Sequence, residues 1–280
     1  MPGGGTDGAT LGAHTIAAME EAFYERDGDG FNATELTRGP WDPGAQHAGP
    51  PSGLLGREIE RVDGADGFQV ARITLEILRP VPIGRVSVEA EVVRPGRSVQ
   101  MIEGSLRGED GVELMKARAW RIRRAEIEIP EDVETTPAPP PGPEHGHKPE
   151  FFRTGQSVGY HTAMDWRSVG GGFHEPGPAT VWMRMDCRLV AGEEPSPLQR
   201  TLVAADVGNG ISWVLEWSRY LFINVDLSVH LERMPEGEWV CVDAVTLSQR
   251  NGIGTAESVL SDERGRIGRA AQALMVAERP

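Results

Sequence analysis

From Arg85 the chain reads RVSVEAEVVRPGRSVQMIEGSLRGEDGVELMKARAWRI, in which apolar and polar residues alternate at period two. The alternation breaks at Pro95-Gly96 and again at Glu109-Asp110-Gly111, so three successive strands are predicted. From Trp239 a second stretch, WVCVDAVTLSQRNGIGTAESVLSDERGRIGRAAQALMVA, repeats the pattern with breaks at Asn251-Gly252 and at Asp262-Glu263-Arg264-Gly265. At a constant offset of 154, Val86 and Val88 fall on Val240 and Val242, Leu106 on Leu260, Gly111 on Gly265 and Ala117 on Ala271. The register survives both turns, which marks an internal repeat. One more alternating strand precedes each set, RITLEILRP at 72–80 and NVDLSVHLE at 224–232.

Each half also carries one helix signal ahead of its strands. In the second half Ser196-Pro197-Leu198-Gln199 is a capping box with proline at the first helical position. Leu198, Leu202 and Val203 follow at helical spacing until Gly208-Asn209-Gly210 ends the run. In the first half Pro50-Pro51-Ser52 leads into GLLGREIERV, with Leu54, Leu55, Ile59 and Val62 on one face. Helix then antiparallel strands, twice over, is an α+β pattern in which each sheet wraps one central helix, and two such halves could pair their sheets edge to edge. Between them, residues 126–150 exchange hydrophobic period for prolines and charges, so the expected division is 1–125, a linker, and 151–280.

Composition narrows the possible functions. The 280 residues carry a net charge of −14 with no run of lysine or arginine, which argues against nucleic acid as a partner. The N-terminal MPGGGTDGATLGAH has neither a basic nor an apolar leader region, and no stretch has the apolar length needed to span a bilayer, so a cytoplasmic location is expected. Cys187 and Cys241 are too few for a disulfide framework and too far apart for a paired metal or redox motif, and read as small buried residues.

Two polar residues sit where the pattern calls for apolar ones. Asp206 falls on the apolar stripe of the second helix, four residues after Leu202, in the last turn where the helix dipole disfavours a carboxylate. Partial burial there would raise its pKa toward that of a general base; a turn stabiliser bonding the amides of Gly208 to Gly210 is the plainer alternative. Gln272 interrupts AAQALMV, and a buried amide needs partners, such as a water or a carboxylate. In NVDLSVHLE, Asn224, Asp226, Ser228 and His230 share one face of the strand, opposite Val225, Leu227 and Val229, which reads as the wet face.

The segments GPWDPGAQHAGPPSGLL, LRPVPIG and VVRPGRS in the first half, and LVAADVGNG, FINVDLSVHLE and GRAAQALM in the second, resemble the bacterial acyl-CoA thioesterase II group, a double-hotdog branch of the thioesterase superfamily. The resemblance covers nearly the whole chain. It implies a double hotdog that hydrolyses a fatty acyl-CoA to free acid and CoA without metal or other cofactor, as a possible homodimer or larger oligomer. The family's catalytic aspartate lands on Asp206 and its glutamine on Gln272. Its usual hydroxyl residue lands on Asn224, an amide that can still orient a water through its oxygen or nitrogen. The segment His47-Ala48-Gly49-Pro50, at the entry to the first helix, is the implied site of substrate binding, its backbone N–H groups polarising the thioester carbonyl. His47 itself reads equally as a structural turn residue.

Other motifs carry less. His145 and His147 lack a third metal ligand, there is no phosphate loop, and no G-x-S-x-G elbow is present. Trp166, Trp182, Trp213, Trp217 and Trp239 read as core and interface residues, Trp213 and Trp217 at helical spacing, with an acyl tunnel as an alternative setting. A hydratase of the same fold would need a histidine near position 211, which is Ile211; a non-catalytic acyl-CoA-binding scaffold is the remaining alternative.

Overall fold

The computed structural model describes residues 21–133, 138–151 and 155–279. The N-terminal stretch read above for a leader, and residues 134–137 of the expected linker, lie outside the described residues. The first half contributes β1 (Ala22–Asp27), β2 (Gly30–Ala33), α1 (Gly49–Arg61), β3 (Phe68–Ile77), β4 (Arg85–Arg94), β5 (Val99–Gly108) and β6 (Glu113–Arg123). The second contributes β7 (Met164–Gly170), β8 (Ala179–Met185), β9 (Arg188–Val190), α2 (Pro197–Ala205), a single turn α3 (Gly208–Ile211), β10 (Tyr220–Asn224), β11 (Asp226–Leu231), β12 (Val240–Ser248), β13 (Ile253–Asp262) and β14 (Gly265–Glu278).

All strands join one sheet in the order β7-β8-β12-β13-β14-β11-β3-β6-β5-β4-β2-β1-β9, with β10 added on β14. The halves meet edge to edge at β3 and β11, which run antiparallel with Thr74 opposite Ser228. Those two residues are separated by 154 in sequence, the offset of the repeat, and their hydroxyls are 3.2 Å apart. An approximate two-fold axis therefore passes between them. β9 crosses over to pair in parallel with β1, so the second half also supplies a strand to the far edge of the first.

The repeat holds its offset on two of its three strands. Val88 lies opposite Leu106 in β4–β5, and Val242 opposite Leu260 in β12–β13, both separated by 154. On the last strand the register slips by one. Ile102 faces Ala119 while its mate Ala256 faces Gln272, because the turn before the last strand is one residue shorter in the second half: Asp262 pairs with Gly265, whereas Gly108 bonds Val112, and the irregularity at Leu260 and Ser261 has its counterpart at Leu106 and Arg107. The buried mate of Ala117 is accordingly Ala270, and the sequence match to the exposed Ala271 is corrected.

The two helices lie in contact with each other against the sheet, α1 packing against β4 and β5 and α2 against β8 and β12. Glycines in α1 permit the approach. A Cβ at Gly49 would stand 2.5 Å from the Val203 carbonyl oxygen, and one at Gly53 2.8 Å from Val203 Cγ2. α2 begins as the sequence predicts, with the Ser196 hydroxyl accepting from the Gln199 N–H at 3.2 Å. The other half of the expected box is redirected, since the Gln199 and Ser196 side chains both bond Glu60 of α1. Beside them the buried Arg57 of α1 forms a bidentate pair with Glu193 at 2.7 Å, a second tie between the halves.

The described part of the proline-rich stretch is tied to the second half, with Trp182 Nε1 donating to the Pro141 carbonyl at 2.7 Å and His147 bridging to Ser168. Trp166 and Trp182 are buried in the core, and so are Cys187 and Cys241. Trp213 and Trp217 do not extend a helix: after α3 the chain loses regular structure, and both tryptophans are half-buried, as is Trp239.

Candidate active site

α2 ends at Ala205, and Asp206 is its C-terminal capping residue, in helical backbone geometry and 3% exposed. The close packing of α1 on α2 brings the other end of α1 against it. His47 Nδ1 lies 3.1 Å from Asp206 Oδ2, and the backbone N–H groups of Gly49 and Ala48 favour the charged carboxylate. The negative end of α2, which disfavours a carboxylate, is thus opposed by the positive end of the thirteen-residue α1. The sequence showed only the unfavourable half of this arrangement.

On the other oxygen two amides converge. Asn224 Nδ2 donates to Asp206 Oδ1 at 2.8 Å, and Gln272 Nε2 donates to the same atom at 3.3 Å and to the Asp206 carbonyl at 3.0 Å. Gln272 Oε1 accepts from the Asn209 N–H at 3.2 Å, so the amide is committed at both ends. Asp206, Asn224 and Gln272, singled out by sequence, are therefore one buried cluster, with His47 and Gly49 at its edge.

Asn224 reaches the cluster by a route that alternation does not predict. It lies opposite Leu274, whereas Ser228 lies opposite Ala271, so from 224 to 228 the strand advances one residue more than its partner from 274 to 271. The extra residue is a β-bulge at Val225, which separates β10 from β11. The bulge turns Asn224 inward, 8% exposed, while Asp226 and His230 keep to the wetter face. The placement of Asn224 on the wet face of a continuous strand is corrected accordingly. Asp226 secures the bulge by accepting from the Ala273 N–H at 2.6 Å.

Burial dominates the electrostatics. Desolvation raises the Asp206 carboxyl from 3.8 to about 7, against the hydrogen bonds from Asn224, Gln272, Gly49 and Ala48 that hold it down. Desolvation lowers His47 from 6.5 to about 3, so its imidazole is neutral at physiological pH. The contact between Nδ1 and Oδ2 is then a hydrogen bond holding one proton, rather than an ion pair. Gly49 N–H lies 3.1 Å from the same Nδ1 and donates to it in the tautomer that carries the ring proton on Nε2, the proton of the Nδ1–Oδ2 contact then belonging to Asp206. The arrangement is a neutral imidazole against a carboxyl poised between its two forms at neutral pH, the property required of a general base.

The sequence places His47 at the site for substrate binding but does not show the contact of its imidazole with the carboxylate, and it does not single out Tyr160 at all. Tyr160 stacks on that imidazole with centroids 3.9 Å apart and an interplanar angle of 6°, and its hydroxyl donates to the Val203 carbonyl at 2.7 Å. Tyr160 lies in a short 3₁₀ turn, Tyr160–Thr162, inside a loop with no periodic signal, so no local pattern announces it.

The family model for the acyl-CoA thioesterase N-terminal domain matches residues 37–122, and that for the acyl-CoA thioesterase C-terminal domain matches residues 130–276. Among solved structures, a candidate thioesterase II from Thermobifida fusca YX is similar with a TM-score of 0.69 and 18% identity, over 94% of this chain and 97% of that one. A conserved protein of unknown function with a hot dog fold, from Alicyclobacillus acidocaldarius, is similar at 0.64 and 15% identity, over 96% and 98%. An acyl-CoA thioesterase II from Mycobacterium marinum is similar at 0.61 and 15% identity, over 91% and 96%. No curated protein matches the chain. The hot dog neighbour and the two successive family domains fit two hotdog units in one sheet-rich chain.

Proposed function

The chain belongs to the acyl-CoA thioesterase family and is a thioester hydrolase, and on that premise we propose that it cleaves an acyl-CoA to free acid and CoA through a water activated by Asp206. The observation that carries the mechanism is the convergence of Asn224 and Gln272 on Asp206 Oδ1, beside a carboxyl raised to about 7. In this reading the ionised carboxylate takes a proton from water as the water oxygen bonds to the thioester carbonyl carbon. The carbon–sulfur bond then breaks, and the thiolate leaves with the proton that Asp206 returns.

Asn224 and Gln272 act by fixing the carboxylate, and with it the water, in one orientation. The positive end of α1, whose Ala48 and Gly49 N–H groups hold the carboxylate, also favours through its dipole the negative charge that builds on the carbonyl oxygen. No metal is required for these steps. We further read the chain as two hotdog units, 1–125 and 151–280, each sheet wrapping a helix, joined by the linker at 126–150. The family matches, over 37–122 and 130–276, pass from one domain to the next near the start of that stretch, and the second takes in most of it.

The test is thiol release from acyl-CoA substrates by the wild type and by Asp206→Ala. The variant is expected to lose at least about a hundredfold in kcat/KM, the usual contribution of a positioned base. The wild-type rate is expected to rise with pH and level off above about 7, where the carboxyl is ionised. Unchanged turnover in Asp206→Ala sinks the mechanism; acyl-CoA binding without any hydrolysis favours a scaffold instead.

A further inference from the structure

The mechanism leaves unassigned a cavity of about 60 Å³ that shares a wall with the site. His47 belongs to both, and Val207, Asn209 and Gly210, which follow the carboxylate in sequence, line the cavity. The rest of the wall is largely aromatic, including Trp41, Tyr160, Trp166, Phe173 and Trp217. We propose that this cavity receives the acyl group and that it selects a short, planar, aromatic acyl group over an aliphatic chain. The proposal rests on the thioesterase reading and names its substrate class.

Size is the first argument. At about 10–15 Å³ for each water-sized probe, 60 Å³ admits roughly four to six such groups, less than the about 150 Å³ that encloses a whole benzene ring, so an acyl group enters only in part and a long saturated chain is excluded. Rigidity is the second. Trp41 and Trp217 lie with centroids 4.0 Å apart and planes 31° from parallel, and Phe222 braces Trp41 edge-on at 5.0 Å. Tyr160 is held by its stack on His47 and by its bond to Val203, and Trp166 meets both Tyr160 and Phe173 edge-on. Trp166 Nε1 is fixed on the His161 carbonyl at 2.9 Å. Widening the cavity for a flexible chain would break these ring contacts.

Chemistry is the third argument. A flat ring can pair face or edge with the aromatic walls, whereas methylenes gain only dispersion there. Charge restricts the acyl group further, to one without a second carboxylate. Arg38 in the wall is already bonded to Glu35 and to the carbonyls of Pro43 and Val158, and burial lowers His161, which favours its neutral form. A second carboxylate on the acyl group would thus find no uncommitted cation in Arg38 or His161.

The experiment compares thiol release from benzoyl-, phenylacetyl-, butyryl-, octanoyl- and palmitoyl-CoA. The aromatic substrates are expected to exceed every aliphatic one in kcat/KM by tenfold or more. Trp217→Ala, which removes one wall, is expected to raise the octanoyl-to-benzoyl ratio at least tenfold. An aliphatic acyl-CoA that matches benzoyl-CoA in the wild type overturns the proposal, whether or not Trp217→Ala folds. If no acyl-CoA is hydrolysed, the thioesterase reading fails, and affinity still decides the cavity. In Asp206→Asn, tryptophan fluorescence is expected to show benzoyl-CoA binding at least tenfold tighter than octanoyl-CoA. Equal or reversed affinities overturn the assignment.

Discussion

Replacing Asp206 by asparagine keeps the shape of the side chain and removes its titration, so it isolates what the buried charge costs the fold. Raising the carboxyl from 3.8 to about 7 corresponds to about 4 kcal/mol, at about 1.4 kcal/mol for each pH unit. The folded-state pKa is the raised one. The protonated carboxyl therefore contributes its stability below pH 4, and the contribution is lost as pH rises toward 7. At pH 8 the wild type carries the full burden of an ionised buried group, and the variant carries none. The hydrogen bonds from Asn224, Gln272, Gly49 and Ala48 are already contained in that value. What offsets part of the gain is that the amide puts an NH2 where one carboxylate oxygen accepted, which leaves donors on that side unpaired at about 1–2 kcal/mol. Asp206→Asn is expected to be inactive and yet about 2 kcal/mol more stable than the wild type at pH 8. His47 titrates in the opposite sense in both proteins, losing stability as pH falls from 6.5 toward 3, so only the difference between them isolates Asp206. Urea unfolding at pH 8, 6 and 4 measures it. A variant no more stable at pH 8, or a gap that fails to close by pH 4, would refute the reasoning.

Other substitutions test how the site is held. Gly49→Ala places a methyl group against the Val203 carbonyl oxygen, so the helices must part; a loss of roughly 2 kcal/mol by thermal or urea unfolding and a drop in thiol release are expected. Glu193→Gln removes the bidentate partner of the buried Arg57 and leaves it Glu58 as countercharge; it is expected to cost about 2 kcal/mol in the same unfolding assay, with the pH dependence of activity unmoved.

Much of the scaffold was legible because its signals are local. The Ser196-Pro197 start of α2, the turn residues between β4, β5 and β6, and their copies in β12, β13 and β14 each act within a few residues. Asp206 and Gln272 stood out because a polar group on an apolar face is costly wherever the chain finally goes. Asn224 was harder to place, since a one-residue bulge reverses the side a residue faces and Asn-Val-Asp carries no mark of it. The contact of His47 with Asp206, the stack of Tyr160 and the crossing of β9 to β1 depend on the packing of one half on the other, at sequence separations no periodic reading spans. The spacing of Trp213 and Trp217 suggested a helix, and the chain instead leaves α3 as an irregular segment that sets Trp217 against Trp41.

The slip of one residue in the last strand of the repeat has a bearing on how the two halves have parted. About the axis between Thr74 and Ser228, the mate of Gln272 is Ala119, a fully buried methyl group. Two identical subunits would be bound by symmetry to present the same residue twice, and any change useful at one place would be imposed on the other. A fused chain is released from that obligation. Here the second half carries the carboxylate and both amides, while the first supplies the helix end and the imidazole that face them, so the two halves form complementary sides of one buried cluster.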